Sequence, residues 1–124
     1  MSKFVKVQTQ LRDLALIKRS LGDLKFDYRE NAEYHHIYSG RREAVPLLVE
    51  QGRLKFGLRP GEDGAYEVVG DDMVLSAINR TMQQVQQRYA YHKVVAETEK
   101  AGFSLVEEKV GEDQVIRLTV RRWS

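Results

Sequence analysis

The stretch DMVLSAINRTMQQVQQRYAYHKVVAETEKA, residues 72–101, decides how this chain is read. Within it Val74, Ile78, Met82, Val85, Tyr89, His92 and Ala96 recur every three or four residues, the spacing of one face of an amphipathic helix. Asp71-Asp72 offers an N-cap, and Ala101-Gly102 a stop. At 1.5 Å per residue this segment would span about 45 Å. A domain of this length has a radius of gyration near ~14 Å. Either the helix breaks around the polar segment Asn79 to Gln87, or its overhang meets a partner.

Strand signals flank it on both sides. Phe4 to Gln8 alternates with β-branched content, and Thr9 offers an N-cap for a helix carrying Leu11, Leu14, Ile17, Leu21 and Leu24. Phe26 to Ser39 reads as a hairpin, with aromatics at a period of two once Arg29 to Ala32 is taken as its turn. Ala44 to Glu50 and Arg53 to Leu58 read as a second pair around Gln51-Gly52, with Pro46 demoting the first of them to an edge or a bulge. Pro60 to Gly64 is a turn, and Ala65 to Val69 a short strand after it. Phe103 to Val110 and Gln114 to Arg122 close the chain as a hairpin around Gly111-Glu112-Asp113. The expected class is α+β: a single domain, residues 1–124, with an antiparallel sheet carrying two main helices on one face.

Composition narrows the function classes. The chain has 124 residues, 42% of them hydrophobic and 31% charged, with a net charge of +2 and no cysteine. That hydrophobicity with nearly balanced charge opposes disorder. The missing cysteines exclude disulfides, thiol nucleophiles, iron–sulfur clusters and Cys-based zinc sites. No apolar run reaches the ~18 residues of a membrane helix, and Met1 to Phe4 does not begin a signal peptide, so a cytoplasmic location is expected. Residues 1–60 carry +5 and residues 61–124 carry −3, a mild dipole rather than a nucleic-acid footprint.

The run Arg88-Tyr89-Ala90-Tyr91-His92-Lys93-Val94, then Ala101-Gly102-Phe103-Ser104-Leu105-Val106-Glu107-Glu108, and the ending Ile116 to Trp123 carry a resemblance. So do Met1 to Phe4, Thr9 to Asp13 and Tyr66 to Val69. Across essentially its whole length the chain resembles the cyanobacterial and plastid family known as hypothetical chloroplast reading frame thirty-five. Val45 to Leu58 matches more loosely, with Lys55-Phe56-Gly57-Leu58 where an acidic residue would precede the glycine. The resemblance implies a phototroph's cytosol or a plastid stroma. It implies no activity, because the family is a domain of unknown function.

Candidate sites follow from residue chemistry. His35-His36 would point to opposite faces of a strand, and His92 could join a metal site only across the fold. These three are weak metal candidates, and no cofactor is called for. Tyr89 and His92 share a helix face, where burial explains them better than acid–base chemistry. Glu107-Glu108 reads as a cross-strand ion pair with Lys93, Lys109 or Arg117. Gly57, Gly61 and Gly64 read as turn glycines, and no phosphate-loop, dinucleotide or nucleophile-elbow motif is present.

The expectation is therefore a non-enzymatic protein-binding or adaptor domain that meets a protein partner through Arg88, Tyr91 and Lys93 of its overhanging helix and through Trp123 near the end of the sequence. A second copy of the chain is an open possibility. The rival is single-stranded nucleic-acid binding through Arg41, Arg42, Tyr34, Tyr38, Arg121 and Arg122. The weaker rival is a small metal- or ligand-binding enzyme around His36 and His92.

Overall fold

Two apolar clusters lie on opposite faces of one twisted sheet. The structure is a computed structural model that describes residues 2–110 and 115–122. Its order is β1 (Phe4–Gln8), α1 (Leu14–Asp23), β2 (Asp27–His36), β3 (Arg41–Gln51), β4 (Leu54–Pro60) and β5 (Tyr66–Asp71), then α2 (Leu75–Lys100), β6 (Phe103–Val110) and β7 (Ile116–Arg122). The first five strands form an antiparallel sheet in the order β1-β5-β4-β3-β2, and β6 pairs with β7. The α+β class read from the sequence holds.

Both helices cover one face. Ile17 and Leu21 of α1, with Ile78, Met82, Val85 and Tyr89 of α2, pack on Leu47, Val49, Phe56, Leu58 and Val68. Close approach depends on Gly70, where a β-carbon would stand 2.7 Å from Ile78 Cδ1. Tyr89 reaches across the layer, and its hydroxyl oxygen accepts the N–H groups of Arg12 (3.3 Å) and Asp13 (3.1 Å) just ahead of α1.

Helix α2 is continuous, so the break at Asn79 to Gln87 does not occur. Met82 and Val85 keep the buried stripe running through that segment, while the glutamines, good helix formers, face outward. A 3-10 turn, Asp72–Val74, leads into it, with Asp71 rather than Asp72 capping that turn through Met73 N–H at 2.8 Å. The far half of α2 is met by the chain's own β6–β7 hairpin.

Other local readings also change. Asp13, not Thr9, caps α1, accepting from Leu16 N–H at 3.2 Å. The Thr9 hydroxyl instead donates to Tyr66 carbonyl and accepts from Leu11 N–H, extending the β1 path. Phe26 to Ser39 is not a hairpin. It contributes one strand, β2, paired with β3 around a turn at residues 37–40. Strand β3 is internal, pairing on both sides, and its register does not shift at Pro46. Only the pair Asn31/Pro46 is missing from the β2–β3 ladder, since proline has no N–H and Asn31 adopts φ +51°. Gly57 lies inside β4, not in a turn.

That interruption has a large consequence. Tyr28, Leu47 and Val49 point to the helix side, whereas Ala32, Tyr34 and Val45 join Leu48, Val69 and Phe4 on the other face. Both strands thus exchange faces at Asn31/Pro46. The outer part of the β2–β3 hairpin consequently turns across the second face of the sheet as an arm.

Candidate functional site

The arm is fastened along its β3 flank by a polar chain. Gln8 Nε2 donates to Glu67 (3.1 Å), Arg59 bridges Glu67 (2.9 Å) and Glu43 (2.5 Å), and Arg41 Nε reaches Glu43 at 3.0 Å. The Arg41 guanidinium also lies 4.4 Å from the centre of the Phe4 ring. Below it Val45 and Val69 close over Gly57, where a β-carbon would meet them at 2.7 and 2.9 Å.

The tip is pinned by an imidazole. His36 is 1% exposed, with Nε2 3.0 Å from Asp71 Oδ2 and Nδ1 2.7 Å from Ser39 Oγ. Phe4 packs edge-on against the His36 ring at 6.0 Å. Burial alone would raise the Asp71 pKa, but hydrogen bonds from Met73 N–H and His36 outweigh it and hold it below its ordinary value. Burial first, and then the Asp71 charge, raise that of Tyr34.

Along the β2 flank the arm stands open, and the angle between arm and sheet is a groove of about 550 Å³. Six consecutive residues, Glu33 to Tyr38, line one wall, with Leu48, Arg53, Lys55, Asp71, Met73 and Val74 opposite. At its mouth Ile37, Tyr38 and Met73 are 77%, 74% and 74% exposed. Lone exposed hydrophobic residues are ordinary, but three at one opening form a patch.

A second constellation joins the helices. Asp23, at the end of α1, receives His92 Nε2 at 2.5 Å and Arg88 Nη2 at 2.9 Å. Arg88 continues to Glu108 at 3.5 Å and stacks over the Tyr91 ring at 4.4 Å. Burial works against the Asp23 charge, yet the bonds from Arg88 and His92 prevail and lower its pKa. For Tyr91, burial followed by its hydrogen bond to Glu108 raises the hydroxyl. With each group engaged by a neighbour, this network clasps α1, α2 and β6 together.

A family model described as "protein of unknown function (DUF1257)" matches residues 20–119. The chain belongs to that family. Among curated proteins it is similar to the "Uncharacterized protein ycf35" of Pyropia yezoensis, 29% identical over 100% of this chain and 99% of the relative. The proteins of the same name in Cyanophora paradoxa and Guillardia theta are each 28% identical over 99% of the chain and 98% of theirs. No solved structure matches. Membership of DUF1257 agrees with the resemblance read from the sequence, and it assigns no chemistry to the groove or the clasp.

The two clusters divide the residues singled out in the sequence. His36 and Tyr38 reach the groove with His35, while Tyr34 is buried at its base. Arg41 and Arg42 are engaged by Glu43 and by Glu33 (2.7 Å). Arg88 and Tyr91 belong to the clasp, and Lys93 is exposed beside it. Glu108 pairs with Arg88, a partner outside the set suggested for Glu107-Glu108. Arg121 is exposed on β7, the side chains of Glu107 and Arg122 are outside the description, and Trp123 and the Gly111–Asp113 turn lie outside the described residues. His36 and His92 sit in separate clusters, and among the described residues no three histidine or carboxylate side chains come together as a metal site. Sequence reading missed Ile37, Arg53, Lys55, Asp71 and Met73 as groove residues. The available signal was Ile37-Tyr38 within a tight turn, where polar residues are usual.

Proposed function

We propose that this member of the DUF1257 family is a non-enzymatic protein-binding module and that its binding surface is the groove under the β2–β3 arm. The observation that carries this reading is the exposed patch of Ile37, Tyr38 and Met73 at the mouth of that groove. Both nitrogens of His36 and both oxygens of Asp71 are already hydrogen-bonded, so the pair shapes the wall and does not offer itself to a substrate. Aromatic and methionine side chains at a partly polar concavity match the composition of interface centres.

The nucleic-acid reading has less support, because Arg41 and Arg42 are held by carboxylates and Tyr34 is buried. Among the described residues no helix is long and apolar enough to cross a membrane. A plastid stroma or cyanobacterial cytosol is the compartment we propose, given relatives in Pyropia, Cyanophora and Guillardia.

The test is site-directed photo-crosslinking in a native extract, with the reactive side chain at position 38 and, as control, at exposed Arg19 on α1. A discrete protein adduct is expected at 38, absent from 19 and lost when Ile37 and Met73 are changed to serine. Adducts indifferent to those changes would refute the reading.

A further inference from the structure

The geometry points to an extended acidic segment of another protein, carrying an apolar anchor, as the occupant of the groove under the arm. This rests on the protein-binding reading above and specifies the chemistry of its partner.

Charge supplies one argument. Arg53 and Lys55 line the groove, both are exposed, and neither forms an ion pair among the described residues. Glu50, directly opposite Lys55 in the β3–β4 ladder, is taken by Arg29 at 2.9 Å. The acids of the groove are occupied, Glu33 by Arg42 and Asp71 by His36 and Met73 N–H. The cations that remain give the groove a positive wall without internal partners, beside the apolar mouth.

The backbone supplies the other. Strand β2 is an edge of its sheet, and among the described residues its main-chain ladder runs to β3 alone. Four successive β2 residues, Glu33 to His36, line the groove rather than alternate ones, as a strand does when it presents its edge, and Ile37 and Tyr38 of the turn continue the wall. An extended peptide can add to such an edge through main-chain hydrogen bonds while alternate side chains enter the groove. A lipid headgroup or a phosphodiester chain has no peptide backbone with which to pair along that edge. Anchor contacts would fall to Ile37, Tyr38 and Met73, and carboxylates to Arg53 and Lys55.

The test uses the full chain and fluorescence anisotropy with two labelled ten-residue peptides sharing one Leu-Phe core, one flanked by glutamates and the other by lysines. An exposed ion pair changes affinity by up to about fivefold. Two such pairs should favour the acidic peptide on the order of tenfold at low salt, and less as salt rises. In Arg53→Glu/Lys55→Glu the preference should invert, and in Ile37→Ser/Tyr38→Ser both peptides should lose binding. Circular dichroism should show all variants folded, since every altered residue is exposed.

Equal affinity for the two peptides, or an acidic preference that survives the charge reversal, overturns the inference. If the lysine peptide binds better and Ile37→Ser/Tyr38→Ser abolishes it, the protein-binding role stands and the acidic occupant falls. If neither peptide binds, the acidic occupant falls, and the crosslinking at position 38 decides the role independently. Groove-dependent capture of anionic phospholipid vesicles or oligothymidylate, or groove-dependent self-association in sedimentation, would likewise overturn it.

Discussion

Gly57→Ala should loosen the arm from the sheet. An added β-carbon would sit 2.7 Å from Val45 Cγ1 and 2.9 Å from Val69 Cγ2, where carbon contacts relax at about 3.5–4.0 Å. Relief on both sides requires a shift approaching an ångström, and valine offers little room because its χ1 is stiff. Overpacking of this kind costs ~1–3 kcal/mol. Replacing a strand glycine returns roughly 0.5–1 kcal/mol of backbone entropy. The net loss should be about 1–2 kcal/mol, a fall in Tm on the order of 4–8 °C for a chain of this size. Urea and thermal melts measure it, and a double-mutant cycle with Val45→Ala locates it. Val45→Ala alone opens a cavity, but in the Gly57→Ala background it removes the closer of the two clashes, so the two changes should couple by about 1 kcal/mol or more. Amide exchange at residues 32–36 and 41–45 should accelerate in the single mutant and recover in part in the double. A Gly57→Ala protein within ~0.5 kcal/mol of the parent, with additive energies, would refute the packing of the arm on this face.

Asp71 and Asp23 both have carboxyl pKa values held below the ordinary 3.8. Their stabilising contribution is therefore complete above that value and lost as pH falls through the lower folded-state values. Asp71→Asn should flatten the acid limb of stability in a pH series of urea melts; an unchanged limb would remove Asp71 from the account. Tyr89→Phe strands the N–H groups of Arg12 and Asp13 and should cost about 1–2 kcal/mol by denaturant titration, with a neutral result contradicting these two bonds. Tyr91→Ala removes the contact with Arg88 and the bond to Glu108, so Tm should fall by several degrees, on the order of 1–2 kcal/mol. An unchanged Tm would instead fit the freely presented tyrosine that the sequence suggested.

What was legible in the sequence was local. The α2 stripe of Ile78, Met82, Val85, Tyr89 and His92 repeats every three or four residues, so its burial could be read from spacing alone. The turns at Gln51-Gly52 and Pro60–Gly64 could be read from residue type, and Gly52 has the φ of +60° that its turn requires. The site was not legible because its defining contacts are remote. His36 meets Asp71 across 35 residues, and His92 meets Asp23 across 69. Asn31 has the left-handed conformation often seen in turns, yet it redirects β2 without reversing it, which is why the strand resembled a hairpin. Arg41, Arg42 and Arg88 looked like surface anchors because nothing in the spacing announces the carboxylates that engage them.

The change of face at Asn31/Pro46 links fold to proposed function. A regular β2–β3 hairpin would extend beyond the sheet, with Tyr34 and Val45 on the helix side and no layer beneath them. Exchanging faces lets those residues cover Val69 and Leu48 instead, so the second side of the sheet acquires a core of its own. The cover is narrower than the sheet it crosses, and the uncovered angle is the groove. Ile37, Tyr38 and Met73 border that angle with most of their surface in water, so they add little to folding. Replacing Ile37 and Tyr38 by serine should leave stability within ~0.5 kcal/mol of the parent, as for other exposed positions. Stability and the proposed binding are then assigned to different residues of the same arm: Val45, Tyr34 and His36 hold it down, and its tip is left exposed. Loss of stability from the serine pair comparable to that of Gly57→Ala would erase this division and return the tip to the core.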